Sequence, residues 1–217
     1  MARTKSADYE QQREAILDAA AATFAKYGFA GSSMAMLGGA SGASKARLYH
    51  YYPSKDAILF DLLDRYTQKL IAIARSVGAE TGSGRMPAAP RLDAMVRAFL
   101  DEYATSQTRH IVLLHDVDFL AEQERAKVRG QEREIVRLFR DALAKAFAGR
   151  IAQRELTAYT MMLFGMINWT FTWLKPQGPV SYPEFAEAVL RVLHHGFGSA
   201  GAGPVAASAV QVAGAAL

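Results

Sequence analysis

The segment Met34–Lys55, MAMLGGASGASKARLYHYYPSK, decides how the rest of the chain is interpreted. It contains a short apolar helix, a glycine-containing turn at Ser41-Gly42-Ala43, and a second helix that begins at Ser44. Serine is a favourable first cap because its hydroxyl accepts a hydrogen bond from a free backbone N–H group of the helix. Two short helices joined by such a turn are typical of a helix-turn-helix, whose second helix enters the major groove of DNA.

The distribution of charge around this segment favours a polyanionic partner. The chain has 217 residues, with 25 Lys and Arg against 21 Asp and Glu, and this net charge of +4 alone identifies no nucleic-acid binder. Between Asp18 and Asp56, however, there are four basic residues and no acidic residue. We therefore expect a positive surface at the helix-turn-helix, as contact with a phosphate backbone requires.

Composition also limits the chemistry and the compartment. The chain contains no cysteine, which excludes disulfides, thiolate zinc sites and a cysteine nucleophile. The N-terminal segment MARTKSADYEQQRE is charged throughout and lacks the apolar run of a secretory signal, so cytoplasmic residence is predicted. The segment Leu156–Leu174 carries no charge and is almost long enough to cross a bilayer. Its polar positions and the absence of a flanking basic cluster favour a subunit interface instead.

Apolar residues recur at helical spacing along the whole chain, and no strand pattern occurs, so an all-α fold of about nine helices is predicted. A three-helix head occupies residues 1–55, and a larger helical domain for ligand binding and dimerisation occupies 56–198. Helix four, about 54–75, connects the two, and residues 199–217 form a flexible tail rich in alanine and glycine.

Helix three of the head has one inward and one outward side. A helical wheel places Leu48 and Tyr52 together, and this apolar side has to pack against helices one and two. The opposite side is then available to solvent or DNA, and with its flanks it comprises Lys45, Ala46, Arg47, Tyr49 and His50.

Arginine binds guanine O6 and N7 bidentately, which gives about 1–3 kcal/mol of base discrimination, so Arg47 is the first candidate for base reading. The methyl group of Ala46 suits a thymine methyl. The other predicted DNA-binding residues are suited to phosphate contacts or lie at helix N-termini: Ser33, Ser44, Lys45, Tyr49, His50, Tyr51 and Lys55. Arg3 and Lys5 are expected to reach an adjacent groove as a mobile arm.

Residues Arg13–Leu63 resemble the DNA-binding head of TetR-type (TetR/AcrR) transcriptional repressors. The matching stretches are REAILDAAAATFAKYGF, then SSM at the start of helix two, then GASKARLYHYYPSKDAIL. Beyond the head, only the helical outline and the segment GMINWTFTWLKPQGP are similar. Three departures lie within the head: Ala43 where the family usually has valine, Gly38-Gly39 in place of alanines, and Ala46-Arg47 in place of glycine and a small hydroxyl residue. Helix two is therefore expected to be loose, and the operator cannot be transferred from a relative.

The resemblance implies a homodimer, formed through helices eight and nine, that reads a palindromic operator and is released from it by a small inducer. Helices five to eight then surround a ligand cavity, with helix four as the lever between cavity and head. An apolar or aromatic inducer is expected, and an acyl-thioester is an open alternative. Candidate lining residues are Phe99, Tyr103, His110, Phe119, Met162, Met166 and Trp169.

Two other classes of function stay open at this point. The first class is a helical protein that binds a small molecule in the same larger domain but does not bind DNA. The second class is a metal-dependent enzyme. Near His110, only His115 and Asp118 share a helix face, and two ligands are too few for a metal site. The G-x-G-x-x-G match at Gly196–Gly201 follows a helix instead of a strand, which is the wrong context for a dinucleotide site. We expect no enzymatic activity, no metal and no cofactor.

Overall fold

The structure is a computed structural model that describes residues 2–77, 86–175 and 177–196, without the side chains of residues 2–7. The predicted tail at 199–217 and the side chains of Arg3 and Lys5 lie outside the described residues. The described residues form helices and connecting turns and contain no strand, which confirms the predicted all-α fold. The helices are α1 (Ala2–Tyr27), α2 (Met34–Ser41), α3 (Lys45–Tyr51), α4 (Lys55–Ser76), α5 (Ala88–Thr105), α6 (Gln107–Asp116), α7 (Glu122–Ala146), α8 (Leu156–Asn168) and α9 (Tyr182–Gly196).

The head is built from α1, α2 and α3, and its short helices are held by their caps. The Ser33 hydroxyl accepts a hydrogen bond from the Met36 N–H, and the Ser44 hydroxyl accepts one from the Arg47 N–H. Between the two helices, Gly42 has a φ of 65°, a left-handed conformation that side chains with a Cβ rarely adopt. The turn and the Ser44 cap follow from the sequence, which left the cap of α2 open between Ser32 and Ser33.

The helix-turn-helix rests on α1 through a continuous apolar core. Leu37 of α2 and Leu48 of α3 are fully or almost fully buried, together with residues of α1 and the C-cap of α3. The α1 and C-cap residues of this core are Ile16, Leu17, Ala20, Phe24 and Tyr52. Burial of these side chains fixes the rotation of α3 about its axis, and this rotation decides which side chains face outward.

The larger domain packs α4, α5, α7, α8 and α9 around a second part of the core. Phe99 of α5 meets Phe139 of α7 edge to face with ring centroids 4.7 Å apart, and Phe139 meets Phe164 of α8 at 5.1 Å. The helix α4 leaves the head and is buried along one side against this domain. It therefore contacts both parts of the molecule, and its role as connector stays a prediction.

The uncharged segment differs from the single helix expected over Leu156–Leu174. The α-helix ends at Asn168, and a 3₁₀ turn follows at Trp169–Thr172. The Thr170 hydroxyl donates to the Ile167 carbonyl, 2.8 Å away, and such side-chain bonds compete with the regular backbone ladder. Within the described ranges, no helix is both long enough and apolar enough to cross a membrane.

The two adjacent glycines of α2 have different surroundings, which leads to a first prediction. A Cβ on Gly39 would meet nothing within 4 Å, whereas a Cβ on Gly38 would lie 3.3 Å from the Ala43 carbonyl oxygen and 3.7 Å from Leu48. Gly39→Ala should stabilise the protein by about 0.5–1 kcal/mol through helix propensity. Gly38→Ala should gain less or destabilise, because α3 packs tightly there. Chemical denaturation of both variants measures the difference, and an equal gain in both would contradict this account.

Candidate nucleic-acid interface and inner cavity

The outward face of α3 carries the side chains that sequence patterns assigned to it. Leu48 and Tyr52 are 1% and 4% exposed and point into the head. The side chains on the other face are exposed: Lys45, Ala46, Arg47, Tyr49 and His50. This separation places a basic and polar surface on a short helix whose other side is held rigidly by the core.

A shallow groove runs between α2 and this face of α3. Its volume is about 450 Å³. Ser33 and Lys45 stand among its lining residues, which are otherwise small or apolar: Met34, Ala35, Gly38, Gly39, Ala43 and Tyr49. Apart from Met34, the α2 residues that line the groove have small side chains or none, and this leaves the surface beside α3 open.

Two of the predicted DNA-binding side chains lie in different surroundings from those expected. Tyr51 is half-buried and stacks on Tyr9 of α1, with ring centroids 4.6 Å apart. The Lys55 ammonium donates to the carbonyl oxygens of Phe29, 2.9 Å away, and Ser32, 3.1 Å away, and lies over the Phe29 ring. Two of its three N–H bonds therefore hold the α1–α2 connection onto α4, and the structure does not present Lys55 as a free phosphate anchor.

Asp61 of α4 is a shared hydrogen-bond acceptor between the three helices α1, α3 and α4. Its carboxylate accepts hydrogen bonds from Nε and Nη2 of Arg13 at 3.0 and 2.8 Å. It also accepts one from the Tyr52 hydroxyl at 2.5 Å and one from Nε of Arg65 at 3.1 Å. Burial, and then the hydrogen bond to Asp61, raises the pKa of Tyr52, which keeps this hydroxyl protonated as a donor. Sequence reasoning missed this cluster, because Arg13 lies 39 residues from Tyr52 and 48 residues from Asp61 along the chain.

The helix α6 connects the larger domain directly to α1. Arg109 is 14% exposed and binds the carboxylates of Glu14, at 2.9 Å, and Asp18, at 2.7 Å. Farther along α6, the Asp116 carboxylate accepts a hydrogen bond of 3.5 Å from the Phe29 N–H. Burial raises the pKa of Asp116. The head is thus attached to the larger domain through α6 as well as through α4, the only connection that the sequence predicted.

An inner cavity of about 170 Å³ lies between α4, α5, α6, α7 and α8. Of the predicted ligand residues, it brings together Tyr103 and His110. The remaining lining residues are Leu70, Leu113, Leu114, Glu132, Ile135, Val136, Met161, Phe164 and Asn168. The Tyr103 hydroxyl donates to the Asn168 side-chain oxygen at 2.9 Å, and this bond fixes one polar edge of the cavity.

The other five predicted ligand residues do not line this cavity. Phe99 is fully buried in the core, and Phe119 is 49% exposed and packs against Phe29. Met162 is 56% exposed, while Met166 and Trp169 lie on an outer groove. The helix α8 is apolar on nearly every side, so the spacing of apolar residues does not predict which of its side chains face the cavity.

The outer groove lies between α8 and α9 and is strongly apolar. Two tryptophans are unusually exposed there, Trp169 at 64% and Trp173 at 49%, and Val192 is 50% exposed. The other lining residues are Gly165, Met166, Phe185, Ala188 and Val189. Contiguous exposed apolar surface of this kind marks an interaction site. Among the residues that the structure describes, no group of three or more His, Asp or Glu side chains could hold a metal ion.

Comparison with known proteins assigns family models to both parts of the chain. The model for bacterial regulatory proteins of the TetR family matches residues 16–62. The model for the tetracyclin repressor-like C-terminal domain matches residues 85–197. An HTH-type transcriptional repressor of Mycobacterium tuberculosis is 34% identical over 79 residues, which cover 36% of this chain and 42% of that protein.

Solved structures match over most of the length. A TetR-family transcriptional regulator from Bordetella parapertussis is 38% identical with a TM-score of 0.75, over 83% of this chain and 92% of that one. A TetR-family member from Streptomyces coelicolor is 30% identical with a TM-score of 0.68, over 85% and 90%. AibR, solved with isovaleryl coenzyme A and operator DNA, has the same fold at 24% identity and a TM-score of 0.71, over 82% and 96%.

Proposed function

Because the chain belongs to the TetR family of bacterial regulatory proteins, we propose that the outward face of α3 reads an operator and that a ligand in the inner cavity releases it. The chain is a ligand-responsive DNA-binding regulator, and repression is the proposed direction of control. One observation carries the assignment to α3: its polar and basic side chains all face outward while Leu48 and Tyr52 anchor the opposite side. Action in the cytoplasm, where the DNA lies, is part of the proposal.

The proposed division of roles on α3 follows from side-chain chemistry. Arg47 contacts a guanine, Ala46 contacts a thymine methyl, and Lys45, Tyr49 and His50 contact phosphates. At the N-termini of α2 and α3, the Ser33 and Ser44 hydroxyls accept from their own helices and so fix the backbone N–H groups that face the DNA. Tyr51 and Lys55 take positioning roles in place of direct phosphate contacts, since their partners are inside the head.

We propose that two copies assemble through the apolar groove between α8 and α9. One α3 covers too few base pairs for high specificity, whereas a symmetric dimer presents two such helices to a palindromic site. The exposed tryptophans of this groove are the kind of side chain that carries most of the energy of an interface. If this groove is buried against a second copy, its apolar side chains are not exposed to water in the dimer.

We propose that α6 transmits the ligand signal together with α4. The same helix lines the cavity through His110 and Leu113 and holds α1 through Arg109, so displacement of α6 by a ligand moves the head. A hundredfold decrease in operator affinity requires about 2.7 kcal/mol of coupling, which is within the ordinary range of allostery. The proposed lever therefore comprises α6 as well as α4.

The proposal is tested by gel shift of the full chain against DNA from its own upstream region. Binding should weaken steeply with rising salt, because phosphate contacts release counterions. Arg47→Ala should lower affinity for the preferred site by about 1–3 kcal/mol and relax base preference at one position in each half-site. Selection from randomised DNA measures that preference directly.

Lys45→Ala is the matched control for Arg47, since it also removes one exposed positive charge from α3. We expect it to weaken binding to all sequences similarly and to reduce the salt slope by about one. If Arg47→Ala behaved in the same way, Arg47 would be a phosphate contact. If the wild-type chain bound no upstream DNA at low salt, the proposal that the outward face of α3 reads this operator would be wrong.

A further inference from the structure

His110 lies in the wall of the inner cavity as a buried polar side chain that is not fully paired. It is 2% exposed, and neither ring nitrogen makes a hydrogen bond of normal geometry within the described residues. The Asn168 backbone lies close enough to act on the ring, so it can pair with one nitrogen and leaves the other without a partner. The large majority of buried polar side-chain atoms in proteins do have a partner, and an exception calls for an explanation. A ligand that supplies a hydrogen-bonding group to the cavity is such an explanation.

The charge state of the cavity restricts what that group can be. Burial lowers the pKa of His110 to about 4, so that at neutral pH the ring is uncharged, with one donor and one acceptor nitrogen. Glu132 also lines the cavity, and its carboxylate is paired with Arg129 at 3.0 Å. A neutral imidazole beside a carboxylate offers no countercharge to an anion, so the cavity favours an uncharged ligand.

The size and walls of the cavity restrict the rest of the ligand. A volume of about 170 Å³ is close to the roughly 150 Å³ of a dry engineered cavity that accepts benzene. Tyr103 stacks on the His110 ring at 4.0 Å and fixes its plane, while Leu113, Ile135 and Phe164 supply apolar walls. One substituted ring therefore fills the space, with a single polar substituent toward His110.

We propose that the inner cavity binds an uncharged single-ring phenol whose hydroxyl group hydrogen-bonds to His110. A phenolic hydroxyl both donates and accepts, so it matches whichever nitrogen of the neutral ring faces the cavity. This inference rests on the proposed role of the cavity as the inducer site, and it specifies the chemical class of the inducer.

The test uses three probes of nearly the same shape with the full-length protein: p-cresol, toluene and p-toluate. Calorimetric titration should give p-cresol at least tenfold tighter than toluene, and p-toluate weaker than both. His110→Phe should still bind toluene, and its affinities for p-cresol and toluene should be about equal. His115→Phe is the matched control, because His115 is exposed on α6 and does not line the cavity, and it should retain the wild-type preference.

Other results would overturn the assignment. The phenol assignment is wrong if the wild type binds p-cresol and toluene with equal affinity, binds p-toluate more tightly than p-cresol, or binds none of the probes. It is also wrong if His110→Phe keeps the preference for p-cresol. Should His110→Phe fail to fold, Leu113→Phe fills the cavity and should reduce binding of p-cresol and toluene together at least tenfold.

Gel shift without any probe separates this inference from the proposed function. A protein that binds its upstream DNA but none of the probes would retain its regulatory function and lose the phenol assignment. A protein that binds p-cresol through His110 but no DNA would lose the proposed function and keep the ligand site. If both hold, p-cresol should weaken operator binding at least tenfold in the wild type, and His110→Phe should need at least tenfold more p-cresol for the same effect.

Discussion

Asp61→Ala is expected to lower the free energy of unfolding by about 2–4 kcal/mol, because it removes the acceptor that two arginines and a buried hydroxyl share. The Asp61 side chain is 15% exposed, and it joins Arg13 of α1, Tyr52 at the end of α3, and Arg65. Without it, positive charges and a donor are left together at the base of the head. Urea denaturation followed by circular dichroism measures the loss, and α3 should become poorly held, with operator affinity reduced in parallel.

Glu10→Ala is the matched control for Asp61. Glu10 binds the same two arginines, Arg13 at 3.3 Å and Arg65 at 3.1 Å, but its side chain is 49% exposed. Solvent screening should limit its effect on stability to about 0–1 kcal/mol. If both alanine variants lost the same stability, the special position of Asp61 as the shared acceptor would be refuted.

Trp169→Glu should convert the proposed dimer to a monomer at micromolar concentration and reduce operator affinity at least a hundredfold. The indole is 64% exposed in the isolated chain and lines the apolar groove between α8 and α9. Loss of a central aromatic side chain typically costs an interface 2–4 kcal/mol, and the new carboxylate adds a desolvation penalty. Light scattering coupled to size exclusion gives the mass, and gel shift gives the affinity.

Phe119→Glu introduces the same charge at another exposed aromatic side chain. Phe119 is 49% exposed and packs on Phe29, away from the groove. It should change stability modestly and leave the mass of the assembly unaltered. A wild-type protein of monomeric mass, or a Trp169→Glu variant that stayed dimeric, would overturn the assignment of this groove as the interface.

Sequence patterns predicted the features that depend on local spacing. The cap at Ser44, the turn at Gly42 and the inward positions of Leu48 and Tyr52 are all set within a few residues along the chain. The cap of α2 was narrowed to Ser32 or Ser33, and the structure has Ser33. Backbone geometry alone decides such features, because a helix repeats every 3.6 residues and a left-handed turn favours glycine. The all-α class followed from the same periodicity.

Features that depend on distant contacts were not predictable in this way. The Lys55 ammonium was expected to meet a phosphate, but it lies against carbonyl groups 23 and 26 residues earlier in the chain. Arg109 meets carboxylates more than 90 residues away, and no local signal marks that pairing. The orientation of α8 was also undetermined, since a helix that is apolar all round has no periodic stripe. Only the packing of neighbouring helices selects which of its sides faces the cavity.

The exposed side chains of Lys45, Ala46 and Arg47 also affect how this protein can evolve. Their side chains make no hydrogen bond or ion pair within the described part of the chain, and α3 is anchored by Leu48 and Tyr52 instead. Surface substitutions of this kind usually change stability by less than about 0.5 kcal/mol. Mutations that shift the preferred DNA sequence are therefore nearly free of a folding penalty, so duplicated copies of the gene can diverge in their targets while the scaffold stays the same.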